Sequence, residues 1–227
     1  ATVYPHEVER WSPDGTSFVW VRVPELSGTE TKMLFRFGCA TLEATAEAKA
    51  TWAKSAGGYY AGVWHFGETI AAEDAATAVS ADSAQHSAAL DLDWHPANTQ
   101  SLAANMKQMT SADGKIGLAR VNSVDKENNY LSIPSYDEFA FGARFTFSGW
   151  FKVTTLQGNY ARLFGRSFTQ WGGDGAWCGQ YYNGATKFKL YVNTEAGETF
   201  DAPDATAGEW IHYAVVFNGH VAEVFAN

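Results

Sequence analysis

Glu209-Trp-Ile-His-Tyr-Ala-Val-Val-Phe-Asn-Gly-His-Val-Ala-Glu-Val-Phe-Ala-Asn227 carries two runs of partly alternating apolar residues on either side of Asn218-Gly219. That dipeptide supplies positive φ at both corners of a tight turn, so the stretch is expected to be a β-hairpin. Its second strand, expected over 220–227, reaches the last residue with no closing turn. The chain therefore reads as ending inside a β-domain.

Working upstream, strand-like segments fall at 115–120, 130–133, 145–153, 161–165, 177–182, 188–192 and 198–201, with turn residues between them. Short strands at this spacing suit a sandwich. Trp150 and Trp210 lie inside strongly strand-like runs and are assigned to the core. Met109-Thr-Ser-Ala-Asp-Gly114 has linker composition, which sets the expected domains at 1–110 and 111–227. In the first, strands are expected at 2–10, 17–23 and 31–37, a meander with Pro13-Asp14-Gly15 in its first turn. A helix is expected over 42–54, with Thr41 as N-cap and Gly57-Gly58 as its stop. Another strand follows at 59–66, and 68–108 is expected to form connecting loops. The fold class is all-β: two β-sandwich domains, with one short helix in the first.

Composition narrows the function. The 227 residues are 15 % aromatic and 18 % charged, with a net charge of −9. Both proposed domains are acidic, so neither offers the basic stripe that nucleic acid requires. No apolar run approaches the roughly 20 residues that span a bilayer, so membrane insertion is not expected. Cys39 and Cys178 fall in different proposed domains and read as buried thiols rather than a disulfide. The chain opens Ala1-Thr-Val-Tyr, with no signal-peptide pattern, and reads as a mature or excised piece.

The closing stretch resembles a family. Trp210 and His212, followed by Ala-Val-Val-Phe-Asn-Gly219 and Val224-Phe-Ala-Asn227, are similar to the closing hairpin of laminin-G-like modules, which are concanavalin A-like jelly rolls. Asp113-Gly-Lys-Ile-Gly-Leu-Ala119, Asn129-Tyr-Leu-Ser-Ile-Pro134 and Phe145-Thr-Phe-Ser-Gly-Trp-Phe151 look like its opening strands, in the same order. The resemblance implies a jelly roll over 111–227, truncated at its C-terminus. Jelly rolls of this type host lectins, adhesins, spacers and glucanases, so the implication concerns fold more than function. Trp11-Ser-Pro-Asp-Gly15, Lys32-Met-Leu-Phe-Arg-Phe-Gly38 and Ala61-Gly-Val-Trp-His-Phe-Gly-Glu68 are similar to an uncharacterised bacterial domain. That domain precedes laminin-G-like modules in surface proteins and in proteins of the ExbB/TolQ biopolymer-transport type. Where it has Asn-Pro after the glycine matching Gly38, this chain has Cys39-Ala40.

Glucanases on this fold place carboxylates on one strand at Glu-x-Asp-x-x-Glu spacing, with nucleophile and acid about 5–5.5 Å apart. No such triplet occurs; Asp91-Leu-Asp93 and Asp137-Glu138 lie in expected loops. The six histidines show no zinc spacing, and no nucleophile elbow or phosphate loop appears. No enzyme is expected. Calcium is the one cofactor considered, because laminin-G-like modules often hold an ion at the sandwich rim. Asp174, Asp201 and Asp204 are the candidate ligands, with Asp125, Glu127 and Asp82 as further oxygen donors. Solvated loop acids are the simpler reading.

The strongest binding-like segment is 166–183, where Arg166, Gln170, Trp171, Asp174, Trp177, Tyr181, Tyr182 and Asn183 combine flat rings with hydrogen-bonding groups. Flat rings suit the apolar faces of pyranoses. The competing reading makes Trp177 and one tyrosine core residues and leaves Trp171 capping an edge. The expected function is a non-catalytic binding or adhesion module, glycan-directed, from a larger bacterial surface protein and located outside the cell or in the periplasm. Its expected partner is a glycan or a cell-surface or extracellular protein. A structural spacer completed by strand addition at an open edge and an accessory module of a carbohydrate-active enzyme are the alternatives.

Overall fold

The computed structural model describes residues 2–26, 28–30, 32–38, 46–53, 60–70, 79–84, 92–96, 110–121, 129–133, 144–154, 162–166, 177–181, 188–192, 198–201, 203 and 205–227. Among the described residues the regular elements are almost all β, with one short helix. The chain groups into two compact units, Ala1–Ser135 and Tyr136–Asn227.

In the first unit, β1 (His6–Arg10) pairs antiparallel with β2 (Phe18–Val21). Ser12 N–H donates to Ser17 Oγ at 2.9 Å and closes the loop carrying Pro13-Asp14-Gly15. β1 holds one extra residue between Val8 and Arg10, a bulge centred on Glu9. The expected third strand does not form: residues 32–38 pair with no described strand, and Met33, Leu34, Phe35 and Phe37 are exposed. Alternation makes a segment compatible with a sheet but does not supply its neighbour. The meander is thus a two-stranded sheet.

Within the described part of the expected helix, only α1 (Ala48–Thr51) is helical. Glu47 gives it no side-chain cap, and Trp52 already leaves helical geometry at φ −101°, ψ 12°. Glu47 N–H donates to His6 O at 2.8 Å and Arg22 Nη1 to Ala50 O at 3.3 Å, which fastens the helix to the hairpin. Thr41 and the first turn expected after it lie outside the described residues. The strand expected at 59–66 is reduced to a single bridge between Trp64 and Asp82. Phe66 sits at φ 59°, a left-handed conformation that an aromatic residue rarely adopts and no strand accommodates.

Strands also arise where loops were expected. β3 (Val79–Ser80) pairs with β4 (Leu92–Pro96), which pairs in turn with β7 (Asn129–Ser132). Asp93 therefore belongs to a strand, opposite Val79 and Ser132. The stretch expected as a linker forms β5 (Thr110–Asp113), joined to β6 (Leu118–Val121) by a turn closed at Gly114 N–H to Gly117 O, 3.0 Å. β3, β4 and β5 each carry one β-branched or aromatic residue, Val79, Trp94 or Thr110, beside mostly small or polar ones, too few to form the alternation that marks a strand in sequence.

The second unit follows its sequence more closely. β8 (Phe145–Lys152) and β14 (Ala222–Ala226) flank β13 (Trp210–Phe217) in one sheet. β9 (Arg162–Arg166), β10 (Trp177–Tyr181), β11 (Phe188–Val192) and β12 (Glu198–Asp201) form the other, in meander order. Along β13 burial alternates strictly, and Ile211, Tyr213, Val215 and Phe217 face the core. Leu190 of the other sheet packs with Val215 and Phe217, against Phe145, Phe147 and Phe164. Both sheets thus contribute to one sandwich interior. Trp150 and Trp210, expected in the core, are half-buried on the opposite parity: Trp150 pairs with His212, and their rings tilt at 5.1 Å. Phe145, Phe147 and Phe151 occupy the core positions of β8 instead.

The closing hairpin forms, but its turn differs from the expected one. β14 begins at Ala222, and only Gly219 has positive φ, at 97°. Asn218 Oδ1 accepts from His220 N–H at 3.0 Å and Val221 N–H at 2.8 Å. Its side chain imitates a backbone turn and lengthens the connection to 218–221.

Candidate functional site

Chemistry-bearing side chains converge in the first unit, on β1. A strand places i and i+2 on one face, and β1 carries Glu7 and Glu9 there. Glu7 Oε2 accepts from Trp52 Nε1 at 2.5 Å and faces His65 Nε2 at 3.0 Å; Glu7 Oε1 accepts from the Ser83 hydroxyl at 2.7 Å. Glu9 Oε2 accepts from Trp20 Nε1 at 2.6 Å and lies 3.6 Å from His65 Nδ1. The side chains of Glu7, Glu9 and His65 are only 14 %, 4 % and 12 % exposed. Trp20 stacks on the imidazole at 5.1 Å and 22°, while Trp52 leans on it at 5.6 Å and takes the edge of Tyr60 at 5.0 Å.

Each group's use can be read from this geometry. Burial pushes the Glu7 carboxyl up, but the hydrogen bonds from His65, Trp52 and Ser83, with the charge of His65, outweigh it and hold it below the usual carboxylate range. Both imidazole nitrogens face carboxyl oxygens, Glu7 Oε2 at 3.0 Å and Glu9 Oε2 at 3.6 Å, so the ring is held between two acidic side chains. Ser83 donates to the carboxylate and not to the histidine, so the pair lacks the serine–histidine bond of a catalytic triad. The histidine also lies between the two carboxylates, where a hydrolase would need its scissile bond. The cluster fastens β1, β2, α1 and two loops together.

A second polar knot surrounds Arg120. Its Nη2 meets Glu68 Oε2 at 2.6 Å, Nη1 donates to Glu68 O at 2.8 Å and Ser111 Oγ at 3.1 Å, and Nε donates to Ser80 Oγ at 3.0 Å. Burial draws its pKa below the ordinary value, while the charge and hydrogen bond of Glu68 act the other way. A lysine cannot reproduce this fork of donors. Arg120→Lys is expected to destabilise the first unit by about 1–3 kcal/mol, as measured by chemical denaturation.

A depression of about 340 Å³ is lined by Arg10, Thr16, Phe18, Asp113, Gly114 and Gly117. With one carboxylate it offers no acid pair for hydrolysis. Among the described residues, no group of three or more His, Cys, Asp or Glu could hold a metal ion, and no helix is long and apolar enough to cross a membrane.

Of the residues expected to bind ligand, Gln170, Trp171, Asp174, Tyr182 and Asn183 lie outside the described residues, as does the calcium candidate Asp204. Arg166, Trp177, Tyr181 and Asp201 are placed by backbone register. Arg166 stands opposite Trp177, Tyr181 opposite Phe188, and Asp201 opposite Lys189. Positions 177 and 181 share the parity of Gly179, which is paired with Leu190 and Phe164. The connections holding Trp171 with Asp174 and Tyr182 with Asn183 leave opposite ends of β10, about 14 Å apart at strand rise. The structure thus places positions 166 and 177 together and puts a strand between the two halves of the segment. Glu7, Glu9, His65, Trp20 and Trp52 are absent from the sequence-based candidates; the spacing Glu7-Val-Glu9 on a strand was the available signal.

Burial raises the pKa of the Cys178 thiol in β10, against the lowering effect of the Arg162 charge. No curated protein and no solved structure matched the chain. Residues 125–227, which hold both sheets of the sandwich, match the family model of the concanavalin A-like lectin/glucanases superfamily.

Proposed function

We propose that this chain is a non-catalytic glycan-binding and adhesion module belonging to a larger bacterial surface protein, acting outside the cell or in the periplasm. The observation that carries the reading is the match of residues 125–227 to a lectin and glucanase superfamily, on a unit that forms two packed sheets. The non-catalytic part is supported by the way Ser83 and His65 are bound to carboxylates. The proposed sugar site lies on the connection held between paired Arg166 and Trp177, with Trp171 as the platform and Gln170 and Asp174 as hydroxyl partners. Calcium joins it through Asp174, or at Asp201 and Asp204. The first unit is proposed to be the bacterial domain that accompanies such modules.

A glycan array tests this, with and without chelator. Trp171→Ala is expected to lower binding at least about tenfold, the loss of one stacking ring; loss with chelator adds the ion. A blank array from folded, monodisperse protein overturns the reading. A second reading, assembly by strand addition, is favoured by β14, which stands at the edge of its sheet among the described residues. It predicts oligomers in light scattering and no sugar binding.

A further inference from the structure

We infer that the first unit is an acid-operated clasp: protonation of Glu7 releases the hold of β1 on α1, His65 and Ser83, and residues 1–135 open while residues 136–227 stay folded.

The interiors of the two units differ in kind. Both apolar clusters found among the described residues belong to the second unit, built on Leu190, Val215 and Phe217 and on Ala205, Ile211 and Tyr213. In the first unit, the described buried residues are Ala84 with Thr51, Ser80 and Asp82, and its convergence point is Glu7. That carboxylate joins segments up to 76 residues apart in sequence. Among the described residues of this unit, hydrogen bonds and ion pairs to Glu7, with the rings of Trp20 and Trp52 packed over them, make long-range connections.

The titratable groups around Glu7 are few. β1 adds Glu9; the 60–66 segment brings His65 and, behind Trp52, Tyr60; the turn at 82–84 brings Asp82, whose Oδ1 accepts from Val63 and Ala84 N–H at 2.8 and 3.0 Å. β2 and the residue that follows α1 bring the indoles of Trp20 and Trp52 to the cluster. A proton on Glu7 Oε2 would point at the Trp52 indole N–H and the His65 ring nitrogen. One on Oε1 would meet the Ser83 hydroxyl, which must turn to accept, and would take the negative charge from the carboxyl that His65 Nε2 approaches. Either position breaks the cluster, because a protonated carboxyl cannot accept at every site the carboxylate fills.

The sign follows from the lowered pKa of Glu7: its contribution is complete above its ordinary value of 4.5 and is lost as pH falls through the lower, folded-state value. Across that window the opening constant is expected to rise up to about tenfold per pH unit for the one proton taken up.

Hydrogen exchange read by mass spectrometry on the whole chain, from pH 7 to 3 and corrected for the intrinsic rate, tests the clasp. Peptides covering β1, β2, α1 and 60–66 should lose protection below pH 4.5, while those covering β11 and β13 keep theirs. Glu7→Gln, which cannot titrate, should show the loosened pattern already at pH 7 and a flatter acid response. Loss of protection in both units together, or an unchanged acid response in Glu7→Gln, overturns the inference. Should that variant fail to fold, the order of opening in the native chain decides alone.

Discussion

Replacing Leu190 with alanine should cost the second unit about 3–5 kcal/mol, read as a lowered urea midpoint with an unchanged slope. Leu190 is fully buried in a cluster with Val215 and Phe217 from β13, and Phe145 and Phe147 from β8 and Phe164 from β9 pack against that cluster. Truncation removes the transfer energy of the lost methyl groups and leaves a cavity that cannot collapse easily. The cavity sits between rings already in contact, with Phe147 and Phe164 stacked at 3.9 Å. Against a domain stability of about 5–15 kcal/mol, such a loss leaves a marginal fold. Leu190→Met, which keeps the volume, should cost under about 1.5 kcal/mol. A loss below about 1 kcal/mol for the alanine variant would mean that the two sheets do not pack through Leu190.

Glu7→Ala should destabilise the first unit by a comparable amount, about 3–5 kcal/mol, for a different reason. Little apolar surface is lost. What remains is a set of donors, Trp52 Nε1, the Ser83 hydroxyl and His65 Nε2, stripped of their acceptor in a region that water barely enters. Removing one partner from a buried ionic cluster costs far more than the cluster's net contribution. The near-ultraviolet circular dichroism of Trp52 should fall with it, since that indole is oriented by Glu7, whereas Trp20 keeps its bond to Glu9. Wild-type stability in this variant would show the network to be incidental.

The second unit was readable because its strands carry large alternating residues. Phe188–Val192 and Glu198–Asp201 form over the residues that their pattern marked. Parity along Phe145-Thr-Phe-Ser-Gly-Trp-Phe151 already set Trp150 against Phe145, Phe147 and Phe151; size misled where period would have served. Asn218 misled through its side chain, which forms the turn itself and spares the backbone a second positive φ. In the first unit the limits run deeper. Residues 32–38 look like a strand because propensity is local, whereas pairing depends on what the rest of the chain brings alongside. Glu7 and Glu9 fall inside the strand expected at 2–10, but nothing near them in sequence announces that Trp52, His65 and Ser83 converge there. The sugar site drawn from 166–183 rests on residue chemistry, with β10 dividing its two halves.

The contrast between the two interiors extends to temperature. Exposing apolar surface raises the heat capacity of unfolding and exposing polar surface lowers it. Unfolding the sandwich built on Leu190, Val215 and Tyr213 therefore adds a positive increment, and its stability curves with temperature and weakens on cooling. The polar groups gathered around Glu7 and Arg120 contribute with the opposite sign. One polypeptide thus joins an apolar core sensitive to temperature to a polar clasp proposed to be sensitive to protons.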